Sequence, residues 1–96
     1  MLKISKTSVY EMWFQGLRDK TVKARINARL SRLSLGNHGD AKPVGHGVSE
    51  LRIDYGPGYR VYYFQTGVEL IILLAGGDKS TQARDIQTAL QLRKDL

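Results

Sequence analysis

The chain has 96 residues, room for one domain and too few for two. Apolar residues make up 42% and charged residues 25%, too apolar for a disordered tail. The lack of cysteine excludes disulfides, iron–sulfur clusters, cysteine zinc sites and a thiol nucleophile, while a net charge of +6 favours a polyanionic or acidic partner.

The charge is uneven. Met1–Gly36 carries eight basic and two acidic side chains, Asn37–Asp78 three and five, and Lys79–Leu96 four and two, so the positive field belongs to the two ends of the sequence. The longest apolar run, Leu70 to Ala75, is too short to cross a membrane, and no secretory signal is visible. A cytoplasmic protein without membrane contact is expected.

Leu2-Lys3-Ile4 reads as a short opening strand. A first helix begins near Ser8, whose spacing from Glu11 is that of a capping box, and Val9, Trp13 and Leu17 form its apolar stripe. After a turn at Arg18-Asp19-Lys20, a second helix runs from about Val22 to Leu35. Val22, Ile26, Leu30 and Leu33 make its inner face, and Arg25, Arg29 and Arg32 flank that face with stems able to lie along it. Gly36 is the stop signal. The two helices form a hairpin.

Asn37 to Gly47 reads as an irregular loop holding both histidines, His38 and His46. The period then changes from 3.6 to 2. Leu51, Ile53 and Tyr55 point one way and Glu50, Arg52 and Asp54 the other. Gly56-Pro57-Gly58 is a hairpin connection, and Tyr59 to Gln65 is the next strand, with Arg60, Tyr62 and Phe64 on one face and Tyr59, Val61 and Tyr63 on the other. Leu70 to Ala75 has the continuous apolar character of a central strand covered on both sides. Gly76-Gly77-Asp78 leads into a last helix with Ala83, Ile86 and Leu90 as its inner stripe. The order gives a single α+β domain over residues 1–96, a helical hairpin and a C-terminal helix on a small, twisted, mainly antiparallel sheet.

No zinc-protease motif, P-loop or nucleotide-binding glycine fingerprint is present. His38, Asp40 and His46 make a poor metal set in a glycine-rich loop, and no cofactor is expected. The stronger constellation is cationic. Arg52 and Arg60 lie on strands joined by a hairpin, and Lys79 opens the last helix; together they suit a phosphodiester. The competing reading pairs Arg52 with Glu50 or Asp54 and leaves Arg60 at the sheet rim. Tyr10, Tyr55, Tyr59, Tyr62, Tyr63 and Phe64 offer aromatic surface for bases, whereas Trp13 reads as core.

Four segments carry a family resemblance: Gly36 to Gly45, Gly47 to Ile53, Tyr55 to Tyr62, and Gly76 to Ile86. With them the chain resembles the RelE/ParE superfamily toxins of bacterial type II toxin–antitoxin modules, in the HigB-like, addiction module killer protein branch. The resemblance implies a ribosome-dependent, metal-independent mRNA endoribonuclease that inhibits translation through attack of the ribose 2′-hydroxyl on the adjacent phosphate. It also implies a cognate antitoxin, commonly of helix-turn-helix type, as partner beside ribosome and mRNA. Related members poison DNA gyrase instead, and a homologue that only binds its antitoxin is a further alternative. Arg60 falls where these enzymes have a catalytic arginine, Lys79 at or beside another cationic position, and Arg52 at a basic position of the preceding strand. The family's lysines on that strand are replaced by Val48 and Glu50, and its C-terminal tyrosine is absent, with Asp85 near its place. Glu50, Asp78 and Asp85 are then the candidate bases, Glu50 and Asp85 being equally readable as salt-bridge partners. Arg25, Arg29, Arg32, Lys42, Tyr59 and Gln82 are expected to contact RNA or a partner protein.

Overall fold

The computed structural model describes residues 1–96. Its elements in chain order are β1 (Lys3–Lys6), α1 (Ser8–Gly16), α2 (Lys20–Ser34), β2 (Ala41–Gly45), β3 (Val48–Ile53), β4 (Tyr59–Thr66), β5 (Leu70–Asp78), a 3₁₀ turn (Lys79–Thr81) and α3 (Gln82–Lys94). One five-stranded sheet has the order β1-β5-β4-β3-β2. β1 pairs with β5 in parallel, and every other pair is antiparallel. The α1–α2 hairpin covers one face and α3 the other, so the α+β architecture expected from the periodicity is the one observed. No helix is long and apolar enough to cross a membrane.

The larger core lies under the hairpin. Val22, Ile26, Leu30 and Leu33 of α2 meet Leu51, Ile53, Val61, Tyr63, Ile71 and Leu73 of the sheet, with Tyr10 of α1 closing the set. The α2 stripe is the one its spacing predicts. Its start lies two residues earlier, at Lys20, because the Asp19 carboxylate accepts from the Thr21 and Val22 amides and caps the helix. In α1 the capping box gives way to Thr7, whose hydroxyl accepts from the Tyr10 amide. The inner face turns with it: Tyr10 is buried, Trp13, Phe14 and Leu17 pack behind it, and Val9 is exposed. Burying an aromatic ring removes far more apolar surface than burying a valine.

Two other elements differ from the expected ones. The Asn37–Gly47 stretch is not all loop, since Ala41–Gly45 forms edge strand β2 on β3. Pro43 is tolerated there because an edge strand has one unpaired side. β5 runs through Gly76 and Gly77 to Asp78, and it carries a bulge: Tyr62 faces Ala75 and Tyr63 faces Leu73, leaving Leu74 as the extra residue. The Thr7 hydroxyl donates to the Leu74 carbonyl at 2.6 Å and the Thr7 amide to the Leu73 carbonyl at 3.1 Å, so the residue that caps α1 also satisfies the bulge.

The bulge puts Leu74 and Ala75 together on the α3 side, in a smaller cluster with Val48, Tyr62, Phe64 and Ala89. Ile86 and Leu90 pack against it as expected, but Ala83 is exposed, and Asp85 and Ala89 are the buried positions of α3. Beyond the bulge, Gly76 lies directly under the Trp13 indole and Gly77 under the Asp85 carboxylate. A Cβ on either glycine would land inside its neighbour.

Candidate functional site

Strand register builds the site. Arg52, Arg60 and Gly77 form one cross-strand row, and Lys42, Glu50, Tyr62 and Ala75 form the next. Two arginines directly opposite each other repel. The structure separates their partners: the Arg52 guanidinium reaches the sheet edge, 3.3 Å from Asp40, while Arg60 is held inward, its Nε 3.5 Å from Glu50 Oε1. The sequence-level alternative that pairs Arg52 with Glu50 or Asp54 is thus replaced by Asp40, brought opposite by β2.

Glu50 is the anchor of the centre. It is 1% exposed, and its Oε2 accepts from the Tyr62 hydroxyl at 3.1 Å and from Gln82 Nε2 at 2.8 Å. A buried carboxylate requires such partners. β3 delivers Glu50, β4 delivers Arg60 and Tyr62, and the first residue of α3 delivers Gln82. The Arg60 pair is an ion pair rather than a hydrogen bond, for Arg60 Nε is buried without a hydrogen-bond acceptor. Arg60 therefore holds donors in reserve. Burial, followed by the charge of Glu50 and the hydrogen bond to it, pushes the Tyr62 phenol well above its ordinary range, so Tyr62 acts as a donor.

Lys79 is exposed at the rim. Gly58 (φ +83°) lies beneath both cations: a Cβ there would stand 3.7 Å from Lys79 Cβ and 3.9 Å from an Arg60 terminal nitrogen. Asp78 caps the 3₁₀ turn through the Ser80 amide at 2.8 Å. Hydrogen bonds from the Ser80 side chain and amide hold its carboxyl below the usual range. Asp85 accepts from Thr81 Oγ1 at 2.5 Å, lies 3.7 Å from Arg84 Nε and seats on Gly77, which are structural bonds. Of the three candidate bases, Glu50 alone pairs with Arg60.

Arg52, Arg60, Lys42, Glu50 and Gln82 thus gather on one face of β2–β4 and the start of α3. Tyr59 does not join them; it packs toward the hairpin core. The α2 arginines are also placed elsewhere. Arg29 donates to the Arg52 carbonyl at 2.6 Å and to the His38 and Asp40 carbonyls at 3.3 Å, so it ties down the loop before β2. Arg25 stacks on the Tyr55 ring at 4.5 Å, and Arg32 is exposed. The aromatic surface expected for bases is mostly internal, since Tyr10, Tyr62, Tyr63 and Phe64 are buried. Tyr62, expected from the sequence to offer a surface for bases, is instead a buried donor to Glu50; its position two residues from Arg60 on the same strand face was the available signal. His38 hydrogen-bonds the Tyr63 hydroxyl at 2.6 Å, and no three His, Asp or Glu side chains converge in a metal-ligating group.

Residues 12–94 match the family described as Phage derived protein Gp49-like (DUF891). An uncharacterized protein of Haemophilus influenzae is 48% identical over 95 residues, spanning 99% of this chain and 96% of that one. Among solved structures, the free-state form of an E. coli RelE toxin carrying two arginine substitutions superposes with a TM-score of 0.76 at 14% identity. The match covers 94% of this chain and 95% of that one. The chain belongs to the phage-derived Gp49-like family and is built on the fold of the RelE toxin.

Proposed function

We propose that this protein is the toxin of a type II toxin–antitoxin module of the HigB-like kind, a metal-independent endoribonuclease that cuts mRNA on the ribosome. The observation that carries the reading is the pair of cross-strand arginines, Arg52 and Arg60, with Lys79 at the rim and Glu50 beneath. Guanidinium forks and an ammonium point charge are suited to neutralising a phosphate whose charge grows in the transition state.

In the proposed reaction the ribose 2′-oxygen bonds to phosphorus and the P–O5′ bond breaks. The 2′-hydroxyl gives up its proton, and the departing 5′-oxygen gains one, leaving a 2′,3′-cyclic phosphate and a 5′-hydroxyl. Arg60 contacts the phosphate with the donors it holds in reserve, and Arg52 and Lys79 add charge. Glu50 has two successive tasks. In the free protein it aims Arg60. When the phosphate draws Arg60 away, the freed Oε1 accepts the 2′-hydroxyl proton, while Tyr62 and Gln82 keep hold of Oε2. The ribosome supplies a strand held in line for attack, which matters to a site with one modest base. A cognate antitoxin with acidic segments would neutralise the same basic face.

The test is mapping of new mRNA 5′ ends after brief expression of the wild-type chain and of Arg60→Ala. In-frame cuts with 5′-hydroxyl ends, lost in the variant, are the expected result. Growth arrest without cuts, accompanied by inhibited gyrase supercoiling, would replace this reading with that of a gyrase poison. Soluble protein that neither cuts nor arrests growth would leave only antitoxin binding.

A further inference from the structure

A cleft lies away from Arg60, farther along α3. It encloses about 500 Å³ and is lined by His46, Gln87, Leu90, Gln91, Arg93 and Lys94. One wall is the last two turns of α3, and the other is the turn between β2 and β3. Both walls begin at the arginine centre. Gln82, the first residue of α3, donates to Glu50, and Arg93 lies eleven residues on, roughly 16 Å at helical rise. Glu50 is on β3 as well, and that strand leads back to Val48 and the His46 turn. The cleft therefore lies at the other end of α3 from the arginine centre.

Its chemistry is that of an anion site with a stacking surface. No carboxylate lines it, while Arg93, Lys94 and His46 do. Basic residues in a last helical turn ordinarily offset the helix dipole. Arg93 instead lies over the Phe64 ring, with its guanidinium carbon 4.3 Å from the centroid and its Nε buried without a hydrogen-bond partner. The guanidinium is thus held over the ring before any ligand arrives, which lowers the ordering cost of binding. His46 is the one non-glycine residue with positive φ (52°), so the turn presents its imidazole from a fixed, left-handed backbone. Leu90, which packs against the α3-side core cluster, is the one apolar side chain that lines the cleft. Gln91 donates to Asp95 at 3.0 Å, so a cationic fork, an imidazole plane and the Gln87 amide beside Leu90 are the groups left to hold a single-stranded nucleotide, through phosphate contacts and base stacking.

We infer that the His46–Arg93 cleft is a second RNA subsite, which holds the same single strand whose scissile phosphate lies at Arg60. The inference rests on the ribonuclease reading and extends it by a direction, from Arg60 along α3 to the β2–β3 turn. It is tested by following backbone amide resonances of the whole protein during titration with an oligouridylate long enough to reach from Gln82 to Arg93. Wild-type protein should show shifts around both Glu50–Gln82 and His46–Lys94. Arg93→Gln should lose the second set, keep the first, bind about tenfold more weakly and show a salt dependence shallower by about one phosphate contact. Because Arg93 also packs on Phe64, His46→Asn is the companion variant, an amide side chain that tolerates the same backbone; it too should weaken binding and lose the second set.

Shifts confined to Glu50–Gln82, with both variants binding like wild type, would overturn the subsite and leave the ribonuclease reading standing. So would the absence of shifts anywhere while 5′-hydroxyl ends still form in cells. Tighter binding of a polyglutamate peptide at the same cleft, with no RNA response there, would assign it to an acidic protein partner and overturn the inference. Arg93-dependent RNA binding without mRNA cleavage would uphold the subsite and remove the ribonuclease reading.

Discussion

The two faces of the sheet are built on different terms. Under the α1–α2 hairpin, eleven buried apolar and aromatic residues pack with hardly a polar bond among their side chains. Under α3 the apolar cluster has six members, and beside it lie a buried glutamate, an arginine with a spare donor and a buried aspartate. The first face supplies stability. The second spends some of that stability on polar groups held in place, an arrangement expected where chemistry or binding is done. Substitutions of the same kind should therefore have different consequences on the two faces.

The largest stability effect belongs to the hairpin face. Leu51→Ala, which opens a cavity in the main core, should cost about 2–5 kcal/mol, enough to leave a domain of this size marginally folded by denaturant titration. On the α3 face the largest effect is on the proposed activity: if the ribonuclease reading holds, Arg60→Ala should cut mRNA cleavage by about 100-fold or more while the fold persists. It should also lower the melting temperature, because Glu50 loses the charge that faces it. Glu50→Gln combined with Arg60→Ala should restore the melting temperature and leave cleavage absent. Equal melting of the single and double variants would show that the ion pair has no structural part.

Removing a phenol sharpens the comparison. Tyr62→Phe breaks a bond to a buried carboxylate and should destabilise by about 2 kcal/mol. The Tyr10 hydroxyl is buried with no partner, so Tyr10→Phe should be neutral or stabilising by up to about 1 kcal/mol. Burial raises both phenols in the folded state, so the neutral forms are favoured there. That contribution is complete below the unfolded tyrosine value of about 10 and is lost as pH rises above it. Denaturant midpoints should fall above about pH 10, less steeply in Tyr10→Phe. The smallest effect concerns Asp78, whose carboxyl is held low by Ser80. Its stabilisation is present above the unfolded value near 3.9 and fades as pH falls through the lower folded value, so wild type and Asp78→Ala should converge in stability in strong acid.

Much of the fold could be read from periodicity, and the places that could not share a cause. The α2 stripe, the alternation of β3 and β4 and the apolar run of β5 are patterns in which each residue's own preference agrees with its place. β2 was hidden because a half-exposed edge strand with a proline has no period to show. In α1, Trp13 and Leu17 face the core as their spacing suggests, but Tyr10 takes the buried place expected of Val9, and Thr7 in place of Ser8 caps the helix. In the site, strand alternation put Glu50, Arg52 and Arg60 on one face. It could not reveal that Asp40 would claim Arg52, or that Arg29 would be used on one carbonyl of β3 and two of the loop before β2. Tyr62 was counted as a surface ring when burial had made it a donor to Glu50.

The last strand in the chain, β5, is an interior one. β5 pairs with β4 on one side and with β1, nearly seventy residues earlier, on the other. During synthesis β1 emerges first and has no partner until residues 70–73 have left the exit tunnel, and neither core can close before then. A nascent or prematurely terminated chain lacking β5 would lack both faces together, so no part of this domain can fold ahead of that strand.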